Sequence, residues 1–568
     1  MVESEQRAVG GWLDRYATGY HHWHKSIENG QEVHRRHLGL VEEAFRIDGQ
    51  FFEGRADVNA LTTLEISHRL SQNDLKYQIL LAWACLRLKH VLLFARIQAN
   101  DDSNAQSFEI RRPNSIKQAL EEAAQDLVFV DDIYKNVDPS EFWRHCTNTA
   151  RLVDPNQACS KLLVLPFKFL NNGNILLRYL WVTAHMVTDG LTMYNWTSSF
   201  LELLNTSEHQ LQQKITKSCG LTGLPLDLPQ AQEDLYPKIT GSIPRQRWFW
   251  AIMRILRHVR KPLPAAFPNP LRRAQRKAEA VLLEDEFADL FDYSPSRKPP
   301  LNAFVKKFSL SPQASDRLQK LARSTGASVG AGCFALIGLA MMEVEEEKHP
   351  NIPHSERRPF IASFPLNPRP FFGSQTANSC MLAFSDGIVM PFLPSNIPFE
   401  GRFKLTTLAA HRQLKQYQKR RKGVDAVVDS HSPARMIAHN YITAVERAEM
   451  KLPPEMRKGV NPQGAYSANV DYSTATCGVS SIGAVKNWVS NGNYRLDDEG
   501  KDFAADWRDM KMGVRARENE FLVGSDTTAE GIVNFGTSFD GNAINEASFE
   551  LFEEKVKSLL QVDGKAKI

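Results

Sequence analysis

The chain has 568 residues, of which 42% are hydrophobic and 24% are charged, and its formal net charge at pH 7 is +4. A chain of this length exceeds one ordinary hydrophobic core, so we expect two globular domains. The weak net charge does not favour nucleic acid as a partner, and no basic helix is interleaved with base-stacking aromatics. Seven scattered cysteines without CxxC spacing favour a reducing compartment and argue against zinc sites and disulfides.

The N-terminus and the hydropathy pattern predict a protein of the cytoplasm. Residues 1–6 are acidic and polar, without the basic start and the apolar core of a secretory signal. The longest apolar stretch, from Phe334 to Met342, is about half the length that crosses a bilayer. We therefore expect a cytoplasmic enzyme that acts as a monomer.

The first half of the chain alternates between helical and strand patterns. Apolar residues at helical spacing from Ser71 to Lys89 predict a helix with Ser71 as its N-cap. The stretch from Asn174 to Thr183 is bulky and β-prone and follows Asn-Asn-Gly, which predicts a strand. After Gly190 the apolar spacing is helical again, so the segment from His185 to Gly190 lies at a strand-to-helix junction.

The second half of the chain shows the same alternation. Phe304 to Leu310 predicts a strand, and Ser311-Pro312 predicts an N-cap with proline in the first turn of the next helix. Ser328 to Met342 is apolar on nearly all sides, as in a buried helix. Between the halves, a proline-rich stretch predicts a long crossover. We therefore divide the chain into an N-terminal domain (residues 1–218), a crossover (219–300) and a C-terminal domain (301–568).

One motif carries a specific chemistry. His185, Asp189 and Gly190 have the spacing His-x-x-x-Asp-Gly, which about one such chain in twenty would contain by chance. A histidine on the turn after a strand can project into a cleft and take a proton near neutral pH, and Gly190 permits a tight bend where a Cβ would clash. Asp189 either orients the histidine or holds the loop through an arginine, which we favour. A purely structural histidine at a helix N-terminus is the alternative interpretation.

These residues resemble the signature of the HxxxDG acyltransferase superfamily, which includes plant-type BAHD enzymes, nonribosomal condensation domains and fungal alcohol acetyltransferases. The plant-type motif Asp-Phe-Gly-Trp-Gly is absent, and Asn534-Phe535-Gly536 is its nearest counterpart. The chain is therefore more similar to the condensation-like and fungal branches, and among these to the fungal trichothecene O-acetyltransferases. Further segments resemble the family in the expected order: Leu88 to Arg96, Phe304 to Met342, Phe360 to Pro370 with Arg369, Cys477 to Gly483, and Asn534 to Gly541.

The resemblance implies an α/β fold (α+β, two-layer) of two chloramphenicol-acetyltransferase-like domains, each a mixed sheet with helices, with a tunnel between them. It implies that His185 is the general base and that Asp189 is structural, with Arg369 as its partner. Ser480 or Ser481 would lie near the tunnel and hydrogen-bond the oxyanion, unless these serines only satisfy backbone groups. The implied co-substrate is acetyl-CoA and the implied acceptor is a small hydroxylated terpenoid, with no permanently bound cofactor and no metal.

Two other functions stay open. A stand-alone condensation-type domain would take its acyl group from a carrier-protein thioester instead of CoA. A non-catalytic binding protein would keep only the fold. The histidines at positions 21, 22 and 24 lack a carboxylate or cysteine at metal-ligand spacing, so we interpret them as part of a polar N-terminal segment.

The segment from Arg245 to Lys277 is strongly basic, with ten arginines and lysines and no acidic residue. Its first part predicts a basic amphipathic helix. Three interpretations stay open: a solvated face over the domain seam, attraction of the CoA phosphates, or weak contact with an anionic membrane surface.

Overall fold

A computed structural model describes most of the chain. The described residues are 20–99, 106–235, 263–279, 281–294, 302–372, 376–385, 387–418, 475–498 and 500–561, together with scattered positions between 241 and 252 and residue 454.

The strands and helices alternate along the chain. The strands of the first half are β1 His24–Glu28, β2 Gln31–His37, β3 Val58–His68, β4 Arg96–Ala99, β5 Gln106–Arg111, β6 Leu127–Phe129, β7 Ser160–Val164, β8 Lys168–Phe169 and β9 Ile175–Thr183. Those of the second half are β10 Ala303–Ser309, β11 Phe360–Ser363, β12 Pro365–Leu366, β13 Ala383–Phe384, β14 Ile388–Met390, β15 Cys477–Ala484, β16 Phe503–Val514, β17 Phe521–Thr527 and β18 Val533–Asp540. The α-helices are α1 Leu40–Phe51, α2 Gln72–Lys89, α3 Ile116–Gln125, α4 Pro139–Asn148, α5 Gly190–Leu204, α6 Glu208–Ser218, α7 Gln232–Leu235, α8 Pro312–Ser324, α9 Val329–Lys348, α10 Phe399–Gln418 and α11 Glu546–Ser558.

Two large mixed sheets define two lobes. The first lobe is built on a six-stranded sheet in the order β16-β3-β9-β7-β6, with β8 paired to β9, and a four-stranded sheet β1-β2-β5-β4 accompanies it. The second lobe is built on a six-stranded sheet in the order β10-β18-β17-β15-β11-β14. Each large sheet combines parallel and antiparallel pairs, and each lobe has its own hydrophobic core. The predicted α/β fold with two mixed sheets is confirmed.

The predicted elements around the motif are present. Ser71 accepts a hydrogen bond from the Asp74 amide and caps α2, as the sequence predicts. Because β9 ends at Thr183 and α5 begins at Gly190, His185 lies in the turn that connects them. In the second half, Ser311 caps α8 as predicted, and Ser328, the first residue of the predicted buried stretch, caps α9.

One strand crosses the division that we drew at residue 301. β16 belongs to the second half of the sequence, but it pairs with β3 of the first-lobe sheet from Phe503–His68 to Val514–Val58. Strands of both lobes have similar apolar patterns. The sequence pattern therefore does not predict which of the two sheets a strand joins. At this strand, the sheet that a segment joins does not match the domain to which we assigned the segment. The division of the chain into domains stays a prediction.

The basic segment is described only in part. The predicted amphipathic helix after Arg245 falls largely outside the described residues. Residues 263–279 pack on the second lobe, where Leu271 is buried in the core and Arg276 forms an ion pair with Asp540 at 2.6 Å. This part of the segment is therefore fixed by contacts with the second lobe.

The histidine-rich start differs from the polar segment that we expected. His24 begins β1, whereas His21 is buried and its Nδ1 lies 3.8 Å from the Asp234 carboxylate. His22 approaches the same carboxylate at 3.9 Å. Among the residues that the structure describes, no group of three histidine, cysteine or acidic side chains is arranged to hold a metal ion.

The predicted buried helix is α9, which lies in the core of the second lobe. Gly338 allows it to pack closely, because an added Cβ would lie 3.2 Å from both Phe360 and Met390. Taken singly, none of the described helices is long and apolar enough to span a membrane. Only α8 and α9 together reach that threshold, as a pair bent by 109°.

Candidate active site

His185 is held by side chains from distant parts of the chain. The ring of Phe45 in α1 stacks on the imidazole, with the ring centroids 3.8 Å apart and the planes inclined by 1°. The Sγ atom of the buried Cys380 lies 3.9 Å from Nδ1. Nε2 makes no hydrogen bond within the described part of the chain, and the residue is partly exposed. The imidazole is therefore oriented so that Nε2 can meet an external group.

The surroundings of His185 keep its imidazole neutral. Burial lowers the pKa of His185 to about 4, and the nearby Arg517 acts in the same direction. Backbone hydrogen bonds and the Asp189 carboxylate oppose this shift but do not cancel it. Because the pKa lies well below 7, one ring nitrogen has a free lone pair at neutral pH. A neutral imidazole can accept a proton, which a general base must do.

Both carboxylate oxygens of Asp189 are engaged with groups other than His185. Oδ1 accepts a hydrogen bond from the Thr192 amide at 2.9 Å, which makes Asp189 the N-cap of α5. Oδ2 accepts hydrogen bonds from the Arg369 guanidinium at 2.7 Å and from the Met381 amide at 2.9 Å. The contact between Asp189 and Arg369, which the resemblance implied, is thus present, and the carboxylate is turned away from the imidazole.

Arg369 ties a segment of the second half of the chain to the start of α5. It lies in the 3₁₀ turn Arg369–Phe372 after β12, not within a strand as the resemblance implied. Its Nη2 also donates to the Ser379 carbonyl at 2.6 Å and to the Thr192 hydroxyl at 3.0 Å. Since Cys380 follows Ser379 directly, these bonds place its thiol against His185.

Gly190 marks a close approach between the lobes. An added Cβ would lie 2.9 Å from Cδ1 of Ile482 and 3.3 Å from Cε of Met512. Gly190 is not among the glycines with positive φ. The close contact agrees with the expectation that a Cβ would clash at this position, although the backbone there does not adopt a positive φ.

The two serines proposed near the oxyanion lie on β15. Val479 is buried in the second core, so the partly exposed Ser480 points away from that core because side chains alternate along a strand. Ser481 is exposed and lies beside Gly330 at the start of α9. Within the described residues, neither serine hydrogen-bonds His185. The structure thus brings His185, Asp189, Gly190 and Arg369 together, while the role of the serines stays a prediction.

The sequence did not reveal three of the residues around His185: Phe45, Cys380 and Arg517. Each comes from a different segment, so no spacing connects them to the motif. Arg517 also forms an ion pair with Asp48, which lies three residues after Phe45 on α1. The one sequence feature that could have pointed to these residues is the spacing of Phe45 and Asp48. Residues three apart are neighbours on a helix surface, so the ring and the carboxylate lie side by side on α1.

No protein-family model and no curated protein matches the sequence. Among solved structures, the TRI3 trichothecene 15-O-acetyltransferase from Fusarium sporotrichioides is similar with a TM-score of 0.64 at 11% identity, over 98% of this chain and 99% of that one. The first condensation domain of the calcium-dependent antibiotic synthetase is similar with a TM-score of 0.51 at 12% identity, over 93% and 96% of the two chains. The epimerization domain from the third module of tyrocidine synthetase B gives 0.51 at 10% identity, over 94% and 97%. The chain therefore has the fold shared by an O-acetyltransferase and condensation-type domains, as the resemblance predicted.

Proposed function

We propose that this chain is an acyl-CoA-dependent O-acyltransferase that transfers an acetyl group from acetyl-CoA to a hydroxyl of a small terpenoid, with the C-15 hydroxyl of a trichothecene as the favoured position. One observation carries the proposal. His185 is neutral and fixed in orientation, with Nε2 unengaged, at the junction of two lobes that have an acyltransferase-like fold.

The reaction needs only the groups that the site supplies. Nε2 of His185 accepts the proton of the acceptor hydroxyl while its oxygen attacks the thioester carbonyl. The tetrahedral intermediate collapses, the carbon–sulfur bond breaks, and the leaving CoA thiolate takes the proton from the imidazolium. No covalent acyl-enzyme is formed, and each reaction returns His185 to its neutral state.

The other motif residues support this step without reacting. Asp189 and Arg369 hold the loop that carries His185, and Gly190 leaves room for the second lobe. Donors aimed at the oxyanion stabilise the transition state more than the ground state. We propose Ser480 for this role in preference to Ser481, because Ser480 is partly shielded and Ser481 lies exposed beside Gly330.

The direct test removes the imidazole. His185→Ala should lower kcat by about 100- to 10,000-fold with acetyl-CoA and a panel of terpenoid alcohols, measured by thiol release and by the mass of the product. His209→Ala is the matched control, since His209 is exposed on α6 and bonds only its helix neighbour Gln213 at 2.8 Å. If His185→Ala retains full activity while forming the acetylated product, the mechanism is wrong.

A condensation-type reaction is the second candidate, because condensation domains share this fold over more than nine-tenths of both chains. Such a domain would accept an acyl group from a carrier-protein thioester. Parallel assays with acetyl-CoA and with an acetylated carrier protein separate the two donors. Turnover of the carrier thioester alone would favour the condensation reaction, and turnover of neither would favour a non-catalytic binding protein.

The expected setting is a monomer in the cytoplasm. This proposal rests on the seven scattered cysteines without CxxC spacing, which is the usage typical of a reducing compartment. For the basic segment 245–277 we retain the interpretation that it covers the seam between the lobes. Charge reversal at its exposed positions would then leave the KM for acetyl-CoA unchanged, whereas a CoA-phosphate contact would raise it.

A further inference from the structure

Tyr194 is a buried polar side chain that has no partner in the described part of the chain. It lies one helical turn after Gly190 on α5 and is 3% exposed, and its hydroxyl makes no hydrogen bond there. The hydroxyl oxygen itself is not sealed from solvent, so an external polar group can reach it. Burial, with Asp526 and Asp509 nearby, raises the pKa of Tyr194 well above its usual value, so the hydroxyl keeps its proton and remains a donor.

Asp526 on β17 offers a complementary acceptor. Its Oδ1 accepts a hydrogen bond from the Asn534 amide at 2.7 Å, while Oδ2 makes none within the described residues. The nearby ammonium group of Lys307 does not form an ion pair with Asp526, because it pairs with Asp509 at 2.6 Å. The cluster therefore contains two carboxylates and one ammonium group, with one carboxylate oxygen unengaged.

This cluster adjoins the contact between Gly190 and the second lobe. Asp526 pairs across the sheet with Gly483, and the preceding Ile482 is the residue that approaches Gly190. Residues four apart lie on one face of a helix, so Gly190 and Tyr194 both face this part of the second lobe. The unpaired phenol and the unpaired carboxylate oxygen are thus on the same side of the seam as the motif.

Two glycines lie in the sheet beside Asp526. Gly524 and Gly536 stand directly opposite each other on β17 and β18, and Gly524 shares its face of the strand with Asp526. An added Cβ on Gly524 would meet nothing closer than the Gly536 carbonyl at 3.6 Å. The two glycines therefore leave space next to the polar pair.

We propose that Tyr194 and Asp526 form a specificity subsite for a second hydroxyl of the acceptor, separate from the one that is acylated. A hydroxyl can donate to Oδ2 of Asp526 and accept from the Tyr194 hydroxyl at once. An ammonium group can only donate, so it would leave the proton of the phenol without an acceptor. The inference rests on the proposed acyl transfer and narrows its acceptor to a polyhydroxylated molecule.

The test compares acceptors that differ by one group. Acetyl-CoA is supplied with a bicyclic mono-alcohol, with diols of the same skeleton at several spacings, and with the corresponding amino alcohols. The wild type should favour one diol over the mono-alcohol by at least about tenfold in kcat/KM, because the second hydroxyl forms two hydrogen bonds with largely shielded side chains. Asp526→Asn and Tyr194→Phe should each reduce this preference to about threefold or less while leaving the mono-alcohol rate unchanged. Asp497→Asn, an exposed carboxylate paired with Arg495, is the control.

Several results would overturn the subsite. One is that the variants lose the same factor in kcat/KM with the mono-alcohol and with the diol. Another is that both variants keep the wild-type preference for the diol over the mono-alcohol. The third is that the wild type prefers the amino alcohol to the diol. Equilibrium binding of the same alcohols, measured by calorimetry, keeps the test independent of turnover. If no alcohol is acetylated but the diol binds the wild type more tightly than it binds Asp526→Asn, the subsite stands and the proposed transfer fails. If diol and mono-alcohol bind equally to the wild type, the subsite is refuted.

Discussion

Replacing Asp189 with asparagine tests whether this carboxylate holds the loop or serves His185. The change preserves the shape of the side chain and an oxygen for the Thr192 amide. It removes the negative charge beside Arg369, and the new amide group would face the Met381 amide, where two donors cannot form a hydrogen bond. We expect the protein to lose stability, and the pKa of His185 not to rise.

The structure sets the size of this loss. Asp189 is 2% exposed and Arg369 is 5% exposed, so the variant leaves an uncompensated charge in the interior. Removing one partner of a buried ion pair costs about 3–5 kcal/mol. The lower end applies here, because Arg369 keeps its bonds to the Ser379 carbonyl and the Thr192 hydroxyl. Combining Asp189→Asn with Arg369→Met removes both charges and should cost about 2 kcal/mol less than the sum of the single changes.

Urea unfolding followed by tryptophan fluorescence gives the stability changes, and a pH titration of the His185 ring by NMR gives its pKa. Glu121→Gln is the control, because it breaks the exposed pair with Lys117, whose side chains are 64% and 84% exposed, and should cost at most about 0.5 kcal/mol. The reasoning is refuted if Asp189→Asn is as stable as the wild type yet loses activity about 10,000-fold, since that pattern belongs to a carboxylate that orients the base.

Four further outcomes are expected. Because the pKa of His185 is lowered to about 4, the base stays deprotonated as the pH falls from 8 to 5, so kcat/KM should stay level there; an inflection near 6.5 would contradict this. Phe45→Leu opens the face of the imidazole to water and should raise that pKa towards 6.5, which the same profile detects. Gly190→Ala should cost about 1–3 kcal/mol by overpacking against the second lobe, measured by urea unfolding; a neutral effect would show that the lobes adjust freely. Ser480→Ala should lower kcat by about tenfold or more while Ser481→Ala leaves it unchanged, and the reverse order would exchange their roles.

The sequence could predict what depends on neighbouring residues. The end of β9, the turn at His185 and the start of α5 followed from a change between strand and helix spacing. The serine caps at positions 71 and 311 followed from local hydrogen-bonding rules. The fold followed because these elements occur in the order that the resemblance implies.

Contacts between distant segments were harder to predict. The pairing of β16 with the first-lobe sheet depends on which free edge the strand meets, and the alternation of its side chains is the same in either sheet. Phe45 and Cys380 are brought to His185 by α1 and by the bonds of Arg369, neither of which leaves a periodic signal near the motif. The sequence predicts Tyr194 only as an apolar position of an amphipathic helix. Helical spacing shows which residues are buried, but it does not show whether a hydroxyl has a hydrogen-bond partner.

These long-range contacts also determine the chemistry of the motif. The pKa of a solvent-exposed histidine would lie near 6.5, and burial lowers that of His185 to about 4. Part of that burial comes from Cys380, and part of the electrostatic shift comes from Arg517, both in the second half of the chain. Separating these segments from the first lobe would expose the imidazole to water and return it to a mixture of charge states at neutral pH. The neutral charge and the fixed orientation of His185 therefore depend on contacts between the two halves of the chain. The His-x-x-x-Asp-Gly motif supplies the histidine, and these contacts lower its pKa.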